Sequence, residues 1–316
     1  MIQRRSVAIV GTGNVGVAAA YALFNQRLAS EIILVDLNKE KAEGEAMDLM
    51  HGQLLVGNVT VRAGGYEDLK DTQVVVVTAG VGQKSPDESR LELLNRNAAV
   101  FKNIISELDT HAPNAILIIA TNPVDILTYV SQQLSSRKPE RIIGTGTLLD
   151  TARFRALLGR YYDVDPRSVH AYILGEHGDS EVPIWSQASI GGKPLMNNSI
   201  MGKPYNRKEM DEIFEKSKNA AYEIIERKGF TNSAIGVVIA RIVEGILEDE
   251  KSVVPVSVYW SGEYGIKDVC MSLPSVIGLE GVKNRMTPGL NVEEIAGLKH
   301  SADILKKSIE GIDLDK

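Results

Sequence analysis

The sequence predicts an α/β protein in two parts: a doubly wound parallel sheet over residues 1–145, then a mixed α/β domain over residues 146–316. Three observations carry this reading. A short β-branched run, Ser6–Val10, passes directly into the glycine turn Gly11-Thr12-Gly13-Asn14-Val15-Gly16 and then into an alanine-rich stretch. Short apolar runs alternate with helical stretches through the first half, the pattern of parallel strands joined by crossover helices. In the second half amphipathic helices precede two adjacent strand-like runs, Val253–Trp260 and Asp268–Leu273, which read as antiparallel.

Each element has a local reason. Val7–Val10 is compact and apolar, as a strand buried on both faces should be. Ala18–Leu23 is rich in the best helix former. Glu31–Val35 reads as a second strand and runs straight into Asp36. Val59–Arg62, Val74–Thr78, Ile116–Ala120 and the shorter Arg141–Gly144 follow as strands, with helices predicted over Leu91–His111 and Val124–Leu134. Ligands on such a sheet collect at the carboxyl ends of the strands. Those ends carry Gly11, Asp36, Thr78-Ala79-Gly80 and Thr121-Asn122-Pro123.

The order strand, glycine loop, helix, strand, acid is that of a Rossmann-type dinucleotide site. Gly11 permits a tight turn, Gly13 lets backbone amides reach a pyrophosphate, and Gly16 lets helix and strand pack closely. The helix N-terminus supplies positive potential for the phosphates. Asp36 lies 20 residues after Gly16, in register to bond both ribose hydroxyls. Its charge would repel a 2′-phosphate, which favours NAD over NADP.

Gly80 to Arg90 is a polar stretch with Gly and Pro ahead of a long helix. It reads either as a connecting loop or as a lid that brings Gln83 and Arg90 over a substrate and excludes water. In the second half, Leu148–Leu158 is an amphipathic helix carrying Asp150, Arg153 and Arg155. Asp150 and Arg153 share a helical face. They form either a surface ion pair, or a buried acid that orients a base beside a guanidinium that grips a carboxylate. Val169–Leu174 reads as a strand leading into Gly175-Glu176-His177-Gly178-Asp179. That segment is either a solvated surface loop or a proton-transfer histidine between glycines that admit a ligand. Met210–Arg227, Ala234–Leu247 and Val292–Ile309 read as helices.

Composition narrows the class. A 316-residue chain with 44% hydrophobic and 24% charged residues is an ordinary globular protein. A net charge of −6 argues against nucleic acid and against anionic membranes as partners. The single cysteine, Cys270, excludes an internal disulfide and a thiolate zinc cluster, and suits a reducing compartment. No metal site is expected. No apolar stretch approaches the ~20 residues of a membrane span, so a cytoplasmic protein is expected.

The glycine loop, Ala120-Thr121-Asn122-Pro123-Val124-Asp125, Leu149-Asp150-Thr151-Ala152-Arg153-Phe154-Arg155 and Gly175-Glu176-His177-Gly178-Asp179-Ser180 together resemble the lactate/malate dehydrogenase family, most closely its bacterial L-lactate dehydrogenase branch. The resemblance covers nearly the whole chain. It implies hydride transfer between NADH and pyruvate in glycolytic fermentation, with oxaloacetate as the alternative substrate. It implies that His177 is the general acid/base, that Asp150 orients it, and that Arg153 holds the substrate carboxylate. Arg90 would close over the carbonyl. Gln83, Asn122, Asp125 and Thr231 would complete the substrate contacts. Gln83 would select a methyl-bearing substrate, although the lid is one residue longer than the family pattern, with Ser85 as the insertion. Lys84 at the specificity position would instead favour a dicarboxylate. The cofactor's contacts would extend to Val15, Lys41, Tyr66, Val81, Asn103, Ala120 and Thr145. Arg155 and His170 match the positions that bind fructose 1,6-bisphosphate between subunits in allosteric members, and the family implies a homotetramer.

Overall fold

The computed structural model describes residues 5–82 and 89–312, apart from the side chain of Arg90. The first half is built as the periodicity predicts. Strands β1 (Ser6–Val10), β2 (Glu31–Val35), β3 (Thr60–Ala63), β4 (Val74–Val77), β5 (Ile116–Ile119) and β6 (Ile142–Gly144) are parallel to one another. Helices α1 (Asn14–Gln26), α2 (Lys39–His51), α3 (Gln53–Val56), α4 (Arg90–His111) and α5 (Val124–Leu134) connect them. The strands are apolar because both faces are covered: β1, β2, β4 and β5 are buried at every residue. Helix α4 starts at a capping box in which the Ser89 hydroxyl accepts from the Glu92 amide and the Glu92 carboxylate accepts from the Ser89 amide.

The second half contributes α6 (Leu148–Tyr162) and then short strand pieces: β7 (Val169–His170), β8 (Ile173–Leu174), β9 (Val182–Pro183), β10 (Ser189–Ile190), β11 (Lys193–Pro194), β12 (Ser199–Ile200) and β13 (Lys203–Pro204). Helices α7 (Arg207–Lys228) and α8 (Ser233–Leu247), strands β14 (Ser252–Ser261), β15 (Lys267–Gly278) and β16 (Gly281–Arg285), and helix α9 (Val292–Ile309) complete it. The expected strand Val169–Leu174 is broken into β7 and β8, which belong to different sheets. The break follows from competition for the backbone. Arg155 Nε donates to the Ala171 carbonyl at 2.8 Å, and the Ile173 amide donates to Thr151 Oγ1 at 3.0 Å.

Among the described residues the main sheet has nine strands, in the order β16-β15-β14-β6-β5-β4-β1-β2-β3. The antiparallel ribbon β14–β16 therefore joins the parallel sheet, through Ser257 opposite Gly144. Helix α8 crosses back onto α1 closely enough that a Cβ on Gly236 would stand 2.7 Å from the backbone of Ala18. A second apolar cluster, around Phe154, Trp185, Ile190 and Met210, fastens α6 and α7 to the short strands. No helix among the described residues is long and apolar enough to cross a membrane.

Candidate active site

The glycine turn shows why each glycine is placed where it is. Gly11 has φ +102°, and a Cβ there would meet the Ala79 amide nitrogen at 2.6 Å. A Cβ on Gly16 would fall on the Gly11 carbonyl oxygen, so β1 and α1 touch only because Gly16 lacks one. Around Gly13, by contrast, nothing among the described residues lies within 4 Å of a Cβ position, which leaves room for a phosphate over the N-terminus of α1. At the end of β2, Asp36 Oδ2 accepts from the Thr12 amide at 2.6 Å and the Thr12 hydroxyl at 2.8 Å, while Oδ1 accepts from the Asn38 amide at 2.9 Å. Partial burial pushes its carboxyl up, but these donors, with Lys41, hold it below the usual carboxylate range. An ionised acid at this point suits free ribose hydroxyls. The turn and Asp36 therefore fit a dinucleotide that lacks a 2′-phosphate.

The neighbouring strand ends are knitted together. Thr78 Oγ1 donates to the Gly11 carbonyl at 2.7 Å, and Thr121 Oγ1 donates to the Ala79 carbonyl at 2.7 Å. The Thr145 amide donates to the Ile119 carbonyl and the Ala120 amide to the Val77 carbonyl. Asn97 of α4, 2% exposed, is a residue that motif reading missed. Its Oδ1 accepts from the Val81 amide at 2.9 Å and its Nδ2 donates to the Val81 carbonyl, so it sets the course of the chain after Gly80. Tyr66, just after β3, is pushed up to about 12 by burial and by the carboxylates of Glu107 and Asp36. Val15 is half-buried on α1, while Lys41 and Asn103 are exposed on α2 and α4.

Three segments distant in sequence meet at His177. His177 Nδ1 lies 2.6 Å from Asp150 Oδ2, and Arg153 Nη1 donates to the other oxygen, Oδ1, at 3.0 Å. Asp150 is 3% exposed, whereas the His177 side chain keeps 27% of its surface open. The shared face of α6 is thus a buried acid between a base and a guanidinium, and not a surface ion pair. Burial pushes the Asp150 carboxyl up, but the His177 and Arg153 charges hold it below the usual range. Burial also pushes His177 down, against a larger combined pull from Asp150, Asp125 and Glu181, which raises it to about 9. With Nδ1 committed to Asp150, Nε2 is the nitrogen left to exchange a proton.

The remaining predicted residues divide. Asn122 is exposed at the lip of β5, and Thr231 is half-buried between α7 and α8. Thr231 makes no hydrogen bond to His177 or Arg153 among the described residues. Asp125, expected among the substrate contacts, is 2% exposed, and its Oδ2 accepts from the His177 amide at 2.6 Å. Its place in the first turn of α5 folds it beneath the histidine loop. Arg90 opens α4, while Gln83, Lys84 and Ser85 lie outside the described residues. Arg155 Nε donates to the Ala171 carbonyl, and its guanidinium stands 4.9 Å over the Tyr172 ring; His170 is exposed on β7. Glu181 was missed. It is 7% exposed, its Oε1 has no hydrogen bond among the described residues, and burial followed by the Asp150 charge pushes it up to about 8. The only sequence signal was an acid directly ahead of the apolar β9.

Comparison with known proteins agrees with this geometry. Residues 5–144 match the family described as lactate/malate dehydrogenase, NAD binding domain. Residues 147–313 match the lactate/malate dehydrogenase, alpha/beta C-terminal domain. The chain is 63% identical to an L-lactate dehydrogenase of Salinibacter ruber over 308 residues, 98% of each chain. It is 46% identical to L-lactate dehydrogenase 1 of Clostridium acetobutylicum, over 99% of this chain and 100% of the other. The crystal structure of the minor L-lactate dehydrogenase of Enterococcus mundtii, in a ligands-bound form, superposes with a TM-score of 0.96 at 44% identity, covering 99% of this chain and 100% of that one. The chain belongs to the lactate/malate dehydrogenase family.

Proposed function

We propose that the chain is an NAD-dependent L-lactate dehydrogenase that interconverts pyruvate and L-lactate, with residues 1–145 holding the cofactor and residues 146–316 the substrate. The observation that carries the reading is Asp150, bonded through one oxygen to His177 and through the other to Arg153. When bound, NADH supplies the hydride that reduces the substrate carbonyl, and NAD accepts it in reverse. Charge builds on the carbonyl oxygen during reduction, and protonated His177 delivers its Nε2 proton there. Asp150 holds the ring by Nδ1 and stabilises the imidazolium. Arg153 binds the substrate carboxylate through the guanidinium N–H groups that Asp150 does not use. Arg90 polarises the carbonyl, Asn122 hydrogen-bonds within the same site, and Gln83 and Thr231 favour a methyl-bearing substrate. The names of the relatives support pyruvate over oxaloacetate.

Two finer readings accompany this one. Arg155 and His170 form a phosphate site for fructose 1,6-bisphosphate, supported by the packing of α6, which carries Arg155, against β7, which carries exposed His170. The chain assembles as a homotetramer, supported by apolar surface left open on α2 and α3, where Met47 is 61%, Leu54 94% and Leu55 89% exposed. The role expected is the closing step of cytoplasmic fermentation. The test is NADH oxidation with pyruvate and with oxaloacetate, each with and without the sugar bisphosphate, on protein whose mass in solution is known. A pyruvate preference above about tenfold supports the assignment. Dominant oxaloacetate turnover would make the chain a malate dehydrogenase with Lys84 as the first residue to replace. A saturation curve untouched by the bisphosphate at every pH would remove the allosteric reading.

A further inference from the structure

We propose that Asp125 is a positioning residue for His177: it ties the histidine's main chain to the end of β5 that carries Asn122, and does not touch substrate. The proposal rests on the dehydrogenase reading and deepens it. Asp150 reaches the histidine ring from α6. Asp125 reaches the same residue's backbone from α5, at 2.6 Å and across 52 residues of sequence. A carboxylate accepting from an amide at this distance is a charge-assisted bond, roughly twice the strength of a neutral one. The two acids therefore do different work on one residue. Asp150 sets where the ring points, and Asp125 sets how far the ring stands from the β5–α5 turn.

The surroundings show that Asp125 has little else to do. Its side chain is closed to solvent, in a stretch of α5 where Val124, Ile126 and Leu127 are buried as well. Ser257 of β14 lies close enough to lower the Asp125 carboxyl, although neither Ser257 Oγ nor Asp125 Oδ1 makes a well-formed hydrogen bond among the described residues. Burial pushes the Asp125 carboxyl up to about 6, against the pull of Ser257 and His177 and with a push from Glu176. The segment it holds is one that needs holding. Gly175 has φ +88°, and Gly178 follows His177 directly, so the backbone on both sides of the histidine is permissive. A displacement of about 1 Å between a proton donor and its acceptor costs on the order of 100-fold in rate.

The experiment compares the parent with Asp125→Ala and Asp125→Asn. Steady-state kinetics use pyruvate, and a primary isotope effect uses NADH deuterated at the transferred position. Asp125→Ala is expected to lower kcat about 10- to 100-fold with the pyruvate KM within about threefold, and to raise the isotope effect as chemistry becomes rate-limiting. Asp125→Asn, whose amide oxygen still accepts from the His177 amide, is expected to recover most of the lost kcat. The idea is overturned if Asp125→Ala keeps kcat within about threefold, if the loss falls in KM, or if Asn is as impaired as Ala. Folding is checked by NADH titration. If the alanine variant does not fold, Asp125→Ser, too short to reach the amide, takes its place under the same criteria. A parent that turned over neither pyruvate nor oxaloacetate would instead sink the dehydrogenase reading itself.

Discussion

Replacing Asp150 with Asn keeps the shape of the buried side chain and removes the charge that favours a protonated His177. The rise of His177 from 6.5 to about 9 corresponds to roughly 3 kcal/mol of preference for imidazolium. Without the Asp150 charge, burial acts against only the pulls of Asp125 and Glu181, and the histidine falls below about 9. If His177 is the proton donor as proposed, pyruvate reduction needs the imidazolium, and kcat/KM for reduction in the parent is expected to be level on the acid side and to fall as pH rises through about 9. Lactate oxidation needs the neutral ring and rises towards the same limb. In Asp150→Asn both limbs move to lower pH, and reduction at neutral pH drops about 100- to 10,000-fold, because general acid catalysis and ring orientation are lost together. The assay is NADH absorbance against pyruvate and against lactate from pH 5 to pH 10. The raised histidine also adds stability that is complete below about 6.5 and is lost as pH rises through about 9, so thermal midpoints of the parent should fall across that window and those of Asp150→Asn should not. An alkaline limb left in place by Asp150→Asn would refute the argument that this carboxylate controls the proton.

Three further outcomes follow from the same geometry. Gly16→Ala drives a methyl into the Gly11 carbonyl, and overpacking of that kind should cost about 1–3 kcal/mol, read as a lower unfolding midpoint together with weaker NADH binding. Asp36→Ser removes the charge at the end of β2; NADH binding should weaken and the NADH-to-NADPH ratio of kcat/KM should fall at least tenfold, and an unchanged ratio would mean that Asp36 does not face the ribose. Glu181→Gln mimics the neutral form of a carboxyl raised to about 8, so the pyruvate KM at pH 6 should stay within about threefold while any rise in KM above pH 8 disappears. A KM profile identical to the parent's would show that Glu181 does not communicate with Arg153.

Local chemistry makes part of the protein readable from its residues alone. The strands β4 and β5, and β1 and β2 after their first residues Ser6 and Glu31, are continuous apolar runs because each is covered on both faces, and that requirement is written residue by residue. The glycine turn and Asp36 are readable for the same reason: one short stretch and the next strand hold every group involved. Asp150 and Arg153 declare themselves through helical spacing, and His177 through its glycines, although only the family resemblance says which of these groups meet. What tertiary structure decided is everything that depends on distance through space. The bond from His177 to Asp125 spans 52 residues, and no local pattern marks an acid in the first turn of α5 as the partner of a loop on another element. Glu181 and Asn97 are polar side chains made consequential only by burial. The break of Val169–Leu174 into two sheets depends on Arg155 and Thr151 reaching across from α6 to take backbone partners that strand pairing would otherwise use. Periodicity reports which face of an element is apolar; it does not report what that face will be packed against, and the buried carboxyls of this site acquire their charge and their work from that packing alone.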